Sequence, residues 1–369
     1  MAARAILVFL LALGHVAHAD RIDDFLLAEM EAKAIPGLSL AILKGGEVRK
    51  IEGYGVTAPD SAEAVTPDTK FQIGSLSKQF AAAAVLLLVE EGKVGLDDGI
   101  SFYAPGCPAW EGITVRHLLN HTSGIPDFSG IPGFSFSREY TIEPFLTMIC
   151  LTPLRHGPGE RFLYSSAGYS LLLFVVECAV GREKTFEESV RERIFDRAGM
   201  ASTRFFVNGA REEGDASGYR RDENGLRPGV PLRPRLSAAS GGIVSTAADM
   251  ARYEQALLRN AILPPGPARA MVEPARLKGG GSSSYGFGWY IRTEDGETVY
   301  QHTGSTSAGF RSCYRRYPAD ELAVILLMNL NAGDFSPDPI ARRVAELYRE
   351  RLRDGAEERP PAAPRTPAR

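Results

Sequence analysis

No apolar run in the chain is long enough to cross a bilayer, which takes about 20 residues. The run Phe80 to Val89 has ten residues and suits a buried helix. No Cys-x-x-Cys and no mixed Cys/His ligand spacing occurs among the four cysteines and six histidines, so no structural zinc is expected. Gly-x-Ser-x-Gly is absent too, which argues against an α/β-hydrolase nucleophile elbow. Charge of one sign is missing: 42 Lys and Arg against 45 Asp and Glu leave a net −3. Without a basic field, nucleic acid is not an expected partner. The 38 glycines follow no three-residue period, which excludes collagen, and no internal repeat is visible. What remains is globular: 369 residues, 44% hydrophobic and 24% charged, with ample chain to bury a core.

The first nineteen residues read as an address. Arg4 gives a positive start, Ile6 to Leu13 an apolar run of eight, and Ala17-His18-Ala19 a small-x-small cleavage pattern. The expectation is a signal peptide over 1–19, a mature start at Asp20, and export to the periplasm or the medium with no stable membrane span. Export permits disulfides. Cys107, Cys150, Cys178 and Cys313 leave three pairings open, and the apolar settings FLTMIC and LLLFVVEC favour buried free thiols.

Along the chain, Asp23 to Ala34 has an amphipathic pattern stopped by Pro36. Leu38 to Leu43 and Val48 to Tyr54 flank Gly45-Gly46, a hairpin signal. A helix is predicted from near Ser75 to Gly92, then helix-like segments and Pro/Gly loops to about 280. Strands are predicted over Tyr285 to Arg292, Glu297 to His302, Gly309 to Tyr317 and Leu322 to Met328, and a closing helix over roughly Pro339 to Arg353. Strands at both ends with helices between predict an α+β fold: one antiparallel sheet, covered by the terminal helices, its halves separated by a largely helical region. The domain is expected over 20–352, the sheet coming from about 36–57 and 284–330. A disordered Pro/Ala/Arg tail is expected over 353–369.

Three segments carry residues suited to catalysis. In Ser75-Leu76-Ser77-Lys78 a helical spacing of three puts the lysine beside the serine. A serine hydroxyl needs a nearby base, and desolvation lowers a lysine pKa enough to supply one. Alone, this pattern reads as a helix cap and an exposed lysine; the two further segments change that reading. In Tyr164-Ser165-Ser166 a tyrosine near a lysine can relay a proton between nucleophile and leaving group. In His302-Thr303-Gly304 a strand-end hydroxyl and backbone N–H groups can hold a carbonyl or carboxylate, and glycine allows close approach. His117 and His121 have helical spacing, but Leu118 stands where a zincin has glutamate, so they are read as structural. Tyr285, Phe287 and Trp289 are read as core or pocket wall.

Ser-x-x-Lys, Tyr-x-Ser and His-Thr-Gly, in that order, resemble the three motifs of the serine β-lactamase and penicillin-binding protein superfamily. The surrounding text TPDTKFQIGSLSKQF, ITVRHLLNHTSGIPDF, PGERFLYSSAGYSLL, SAASGGIVSTAADMARY, YGFGW and HTGSTSAGFRS is similar to the class C β-lactamase-like branch. That branch includes D-alanyl-D-alanine carboxypeptidases, D-aminopeptidases and β-lactamase-fold esterases. The resemblance implies a β-lactamase/transpeptidase-like fold and an acyl-enzyme on Ser75, with Lys78 and Tyr164 sharing acid and base duty. It implies an oxyanion hole from the N–H groups of Ser75 and Ser305, and a substrate site lined by Ser166, His302, Thr303 and Gly304. It implies a small ester, amide or peptide as substrate, with no metal and no organic cofactor.

Two positions depart from the pattern. Ser166 replaces an asparagine that binds the substrate amide, and His302 replaces the lysine of β-lactamases. An imidazole is mostly neutral at pH 7, which weakens the field for anionic substrates. The expected activity is therefore an exported esterase or D-amino-acid peptidase/amidase ahead of a β-lactamase or D,D-carboxypeptidase. The alternative is a non-hydrolytic sensor of β-lactams or cell-wall fragments, for which the altered Ser166 is the one supporting feature. Oligomeric state is not legible.

Overall fold

The computed structural model describes residues 20–354 except 182, 207–210, 224 and 232–234. The expected signal peptide and the tail beyond 354 lie outside the described residues.

Asp20 opens the first helix, Arg21–Lys33, through a capping box with Asp23, and Ala34 ends it in the left-handed conformation. The hairpin follows as β1 (Gly37–Lys44) and β2 (Glu47–Gly55), turning at Gly45 and Gly46 with φ of +59° and +77°, a conformation glycine adopts without strain. Near the other end, β8 (Tyr290–Glu294), β9 (Glu297–Ser305), β10 (Arg311–Tyr317) and β11 (Leu322–Met328) form a meander. These six strands make one sheet in the order β2-β1-β11-β10-β9-β8. β1 and β11 join the two ends of the chain antiparallel, in register from Leu38↔Met328 to Lys44↔Leu322. Both are central and covered on both faces, which is why LAVILLM reads as a continuous apolar run and LSLAIL is interrupted only by Ser39.

On one face the first helix and the closing helix Pro337–Arg353 pack Leu26, Met30, Ile340 and Val344 against Leu40, Val324 and Leu326. Each such buried side chain contributes roughly 1.5–3 kcal/mol. The opposite face meets the helical region through the helix Ser77–Glu90, from Ser77 to Leu88 buried on every side.

Two departures from the sequence reading stand out. The segment before β8 is not strand: Gly288 has φ +81°, and Tyr285, Phe287 and Trp289 are buried in irregular backbone with a single bridge, Tyr285↔Tyr290. The closing helix ends at Arg353 as expected but starts at Pro337, two residues before the expected Pro339. Two small sheets were not legible: β3 (Phe71–Gln72), β7 (Ile243–Ser245) and β4 (Arg204–Phe205), ordered β3-β7-β4, and β12 (Leu330–Asn331) with the hairpin β5 (Tyr219–Asp222) and β6 (Gly225–Pro228).

The cysteines correct the expectation of free thiols. Cys107 and Cys150 are joined in a disulfide with Cα atoms 5.6 Å apart. Cys178 and Cys313 are free. Proximity across 43 residues of intervening fold, not local apolarity, decides pairing. Among the described residues no helix is long and apolar enough to cross a membrane.

Candidate active site

Ser75 sits in a short 3₁₀ turn, Gly74–Leu76, that leads straight into the helix Ser77–Glu90. Gly74 takes φ +53°, and a Cβ there would fall 2.7 Å from the Ser305 nitrogen; one on Gly304 would fall 2.0 Å from the Ile73 carbonyl oxygen. Two backbones therefore touch where the first and third motifs meet, and only glycine permits it. Ser312 on β10 secures the approach by donating its hydroxyl to the same Ile73 oxygen at 2.7 Å.

Lys78 is fully buried. Its Nζ stands 3.1 Å from Ser75 Oγ, 3.2 Å from Ser166 Oγ and 2.8 Å from the Ser240 carbonyl oxygen. Burial brings its pKa down from 10.5 to about 7, partly opposed by the negative charge of Asp127. Near neutrality a large share of Lys78 is thus an amine with a free lone pair. Tyr164 lies alongside, with Lys78 Nζ 4.9 Å from its ring centroid. Burial raises the Tyr164 pKa above its ordinary value, against the opposing effect of hydrogen bonds with Ser75 and Ser166, so the phenol keeps its proton.

The second motif is pinned by short-range bonds. Ser165 caps the helix Ser166–Ser170, its Oγ accepting from Gly168 N at 2.8 Å, and donates its own N–H to His121 Nδ1 at 3.1 Å. Ser166 N donates to Asp127 Oδ1 at 2.6 Å. His121 is packed among the rings of Tyr164, Tyr169 and Tyr285, and burial pushes its pKa well below the usual imidazole value. His117 does something unrelated: its Nδ1 accepts from Thr114 N in a capping box. The two histidines share no ligand, and among the described residues no group of three or more His, Cys, Asp or Glu side chains could hold a metal ion.

Ser75, Ser166 and Ser305 line one cavity of about 220 Å³ with Phe128, Phe136, Ser240 and Asn331. His302 is placed behind this wall. It is 1% exposed, its Nδ1 is 2.7 Å from the Thr303 carbonyl and its Nε2 3.0 Å from the Tyr285 hydroxyl. Burial, and secondarily the Lys78 charge, bring its pKa down to about 3. Asp127 and Ser240 were not singled out by sequence reasoning, and Tyr285 was read as core or pocket wall with no partner assigned to it. Ser240 acts through a backbone oxygen, which leaves no side-chain signal; Asp127 follows directly on the HTSGIP stretch and was the legible one.

Several known proteins share this arrangement's framework. The family profile described as beta-lactamase matches residues 22–349. Penicillin-binding protein 4* of Bacillus subtilis (strain 168) is 28% identical over 304 residues, 78% of this chain and 66% of that protein. Protein flp of Staphylococcus aureus (strain MRSA252) is 26% identical over 327 residues, 85% of this chain and 63% of that protein. The chain thus spans just under two thirds of the length of these relatives. Among solved structures, the D-amino acid amidase from Ochrobactrum anthropi SV3 complexed with L-phenylalanine amide superposes with a TM-score of 0.76 at 28% identity, over 90% of this chain and 98% of the amidase. The octameric penicillin-binding protein homologue from Pyrococcus abyssi gives 0.74 at 27% identity, over 91% and 77%. The β-lactamase/transpeptidase-like fold expected from the motifs is the fold of these structures.

Proposed function

Because the chain belongs to the beta-lactamase family, whose similar members include penicillin-binding proteins and a D-amino acid amidase, we propose that it is a serine hydrolase cleaving an ester or amide through an acyl-enzyme on Ser75. The observation that carries this reading is Lys78 Nζ, 3.1 Å from Ser75 Oγ and brought by burial to a pKa of about 7. In the proposed sequence, neutral Lys78 takes the Ser75 proton as Oγ attacks the carbonyl carbon. The N–H groups of Ser75 and Ser305 receive the developing oxyanion. The proton then passes by Lys78 and the protonated Tyr164 to the departing alcohol or amine, and water repeats the attack to free the acid. Thr303 and Gly304 lie on β9, whose last residue, Ser305, reaches the cavity.

The same reading favours a neutral substrate. Among the described residues no Lys or Arg lines the reaction cavity, the catalytic Lys78 being buried next to Ser75, and His302 is held uncharged. The cavity offers hydroxyls, one carboxamide and the rings of Phe128 and Phe136. An amide or ester with an apolar or aromatic acyl group suits that lining better than a carboxylate-bearing β-lactam. The amidase's complex with L-phenylalanine amide supports this choice. We assign the activity to one domain over 20–352, exported after cleavage near Ala19. The Cys107–Cys150 disulfide supports an oxidising compartment.

The test is time-resolved intact mass spectrometry of the mature protein with p-nitrophenyl acetate, D-phenylalanine amide and benzylpenicillin, with Ser75→Ala as control. A transient acyl adduct from the ester or amide, missing in the variant, is expected. A long-lived penicillin adduct with no turnover would replace the hydrolase by a sensor. No adduct from any of the three would overturn the reading.

A further inference from the structure

Of the five non-glycine residues with positive φ among the described residues, four lie in exposed turns: Ala34, Asn260, Asp295 and Glu321. The fifth, His121, is 1% exposed and holds φ +58° inside the fold. A residue with a Cβ adopts that conformation at a cost, and its surroundings show what the conformation secures.

Leu163 and Ser165 stand on either side of Tyr164, and the N–H groups of both end on this one residue. Leu163 N donates to the His121 carbonyl oxygen at 2.8 Å and Ser165 N to His121 Nδ1 at 3.1 Å. A residue has a single main-chain acceptor group, so the second bond draws on the side chain, and a neutral imidazole supplies the acceptor. Burial keeps the ring neutral. The ring also packs on the residue it brackets, its centroid 4.3 Å from that of Tyr164, while Lys78 Nζ stands 4.9 Å from the same Tyr164 centroid. With Nδ1 accepting, the proton is on Nε2, which is buried and has no hydrogen-bond partner among the described residues. The position thus bears two costs, a strained backbone and an unpaired donor, at its point of contact with Tyr164.

The neighbouring residues extend the clamp. The carbonyl oxygens of Thr122 and Gly124 accept from Gly159 N and Arg155 N, each at 2.8 Å. A Cβ on Gly124 would fall 2.1 Å from the His156 carbonyl oxygen. Residues 121–124 are the bed on which the chain from Arg155 to Ser165 is laid.

We infer that His121 is a positioning residue for Tyr164: through its bonds to Leu163 and Ser165 and its ring contact it holds the phenol where a proton reaches the leaving group. The inference rests on the acyl-enzyme reading of Ser75 and adds to it the residue that governs departure of the alcohol or amine.

The experiment compares kcat/KM, which reports acylation, for p-nitrophenyl acetate and benzyl acetate. The two share an acyl group, but p-nitrophenolate departs without a proton and the benzyl alkoxide needs one. His121→Gly keeps the backbone conformation and removes the acceptor and the ring. It is expected to lower the benzyl acetate value about 10²-fold, the scale of a 1 Å misplacement, and the p-nitrophenyl acetate value far less. A loss of folded protein would lower both alike. Tyr164→Phe is expected to give the same pattern, and adding His121→Gly to it to cost little more, because both act on one group. His121→Asn tolerates positive φ and carries an acceptor oxygen in place of Nδ1, so it is expected to restore much of the benzyl acetate activity. Should His121→Gly not fold, His121→Leu, which also lacks the acceptor, takes its place. Equal losses with both esters, additive losses in the double variant, or no gain in His121→Asn would overturn the inference. A wild type inactive on both esters would count against the acyl-enzyme reading instead. The crystal structure of His121→Gly then decides: a displaced Tyr164 supports the inference, and a Tyr164 in its wild-type place overturns it.

Discussion

His302 Nε2 stands 3.0 Å from the Tyr285 hydroxyl while His302 Nδ1 stands 2.7 Å from the Thr303 carbonyl oxygen. A carbonyl only accepts, so Nδ1 holds the proton and Nε2 accepts from Tyr285. The imidazole is thereby fixed in one neutral tautomer, in line with a pKa of about 3. Removing the donor by Tyr285→Phe leaves a buried acceptor unpaired, which costs about 1–3 kcal/mol. Urea denaturation of wild type and variant measures it, and an unchanged midpoint would show that the bond contributes nothing.

Lys78 sets the pH response. It serves as base only when neutral, and its pKa of about 7 places the acid limb of the acylation rate there. The rate is expected to rise as pH increases through about 7 and to level off above it. Lys78→Arg keeps a cation that cannot deprotonate, so acylation should fall by about 10²–10⁴-fold, the usual range for loss of a general base. Stopped-flow single-turnover measurements with an activated ester across pH 5 to 9 check both, and a flat profile would remove Lys78 from the role.

Asp127 tunes that limb. Its negative charge stabilises the Lys78 ammonium and so raises the lysine pKa against the effect of burial. Asp127→Asn keeps an oxygen to accept the Ser166 N–H, bonded at 2.6 Å in the wild type, but deletes the charge. The ammonium becomes less stable, the pKa falls, and the acid limb moves to lower pH. The same single-turnover profile reads the shift; a limb that moves to higher pH, or stays in place, would contradict it.

The three motifs were legible because each is a short stretch whose residue types carry the chemistry, and the terminal strands because β1 and β11 are buried on both faces. The rest depended on neighbours that are distant in sequence. Strands of two or three residues, such as β3 and β7, are too short to show a period. Tyr285 to Trp289 alternate like a strand, yet Gly288 at φ +81° breaks the extended backbone. The behaviour of His302 follows from Tyr285, seventeen residues away, and nothing in His-Thr-Gly announces that partner. The choice of Cys107 for Cys150 was equally invisible, since it rests on how the helix Ile142–Cys150 docks beside the turn Pro108–Trp110.

That disulfide closes a segment that includes Phe128 and Phe136, both in the reaction-cavity wall, whereas Ser75 and Lys78 lie outside it. A cross-link spanning 43 residues removes conformational freedom from the unfolded chain, worth at most about 4 kcal/mol on the loop-entropy account. Cys107→Ala/Cys150→Ala is therefore expected to lower the urea midpoint substantially. Its effect on turnover should fall unevenly. The Ser75–Lys78 pair keeps its geometry, so kcat changes little, while the loosened aromatic wall weakens substrate binding and raises KM. Steady-state kinetics at a temperature where the variant remains folded separates the two. A loss of kcat with KM unchanged would mean that the closed segment supports the nucleophile directly and not the wall of the cavity.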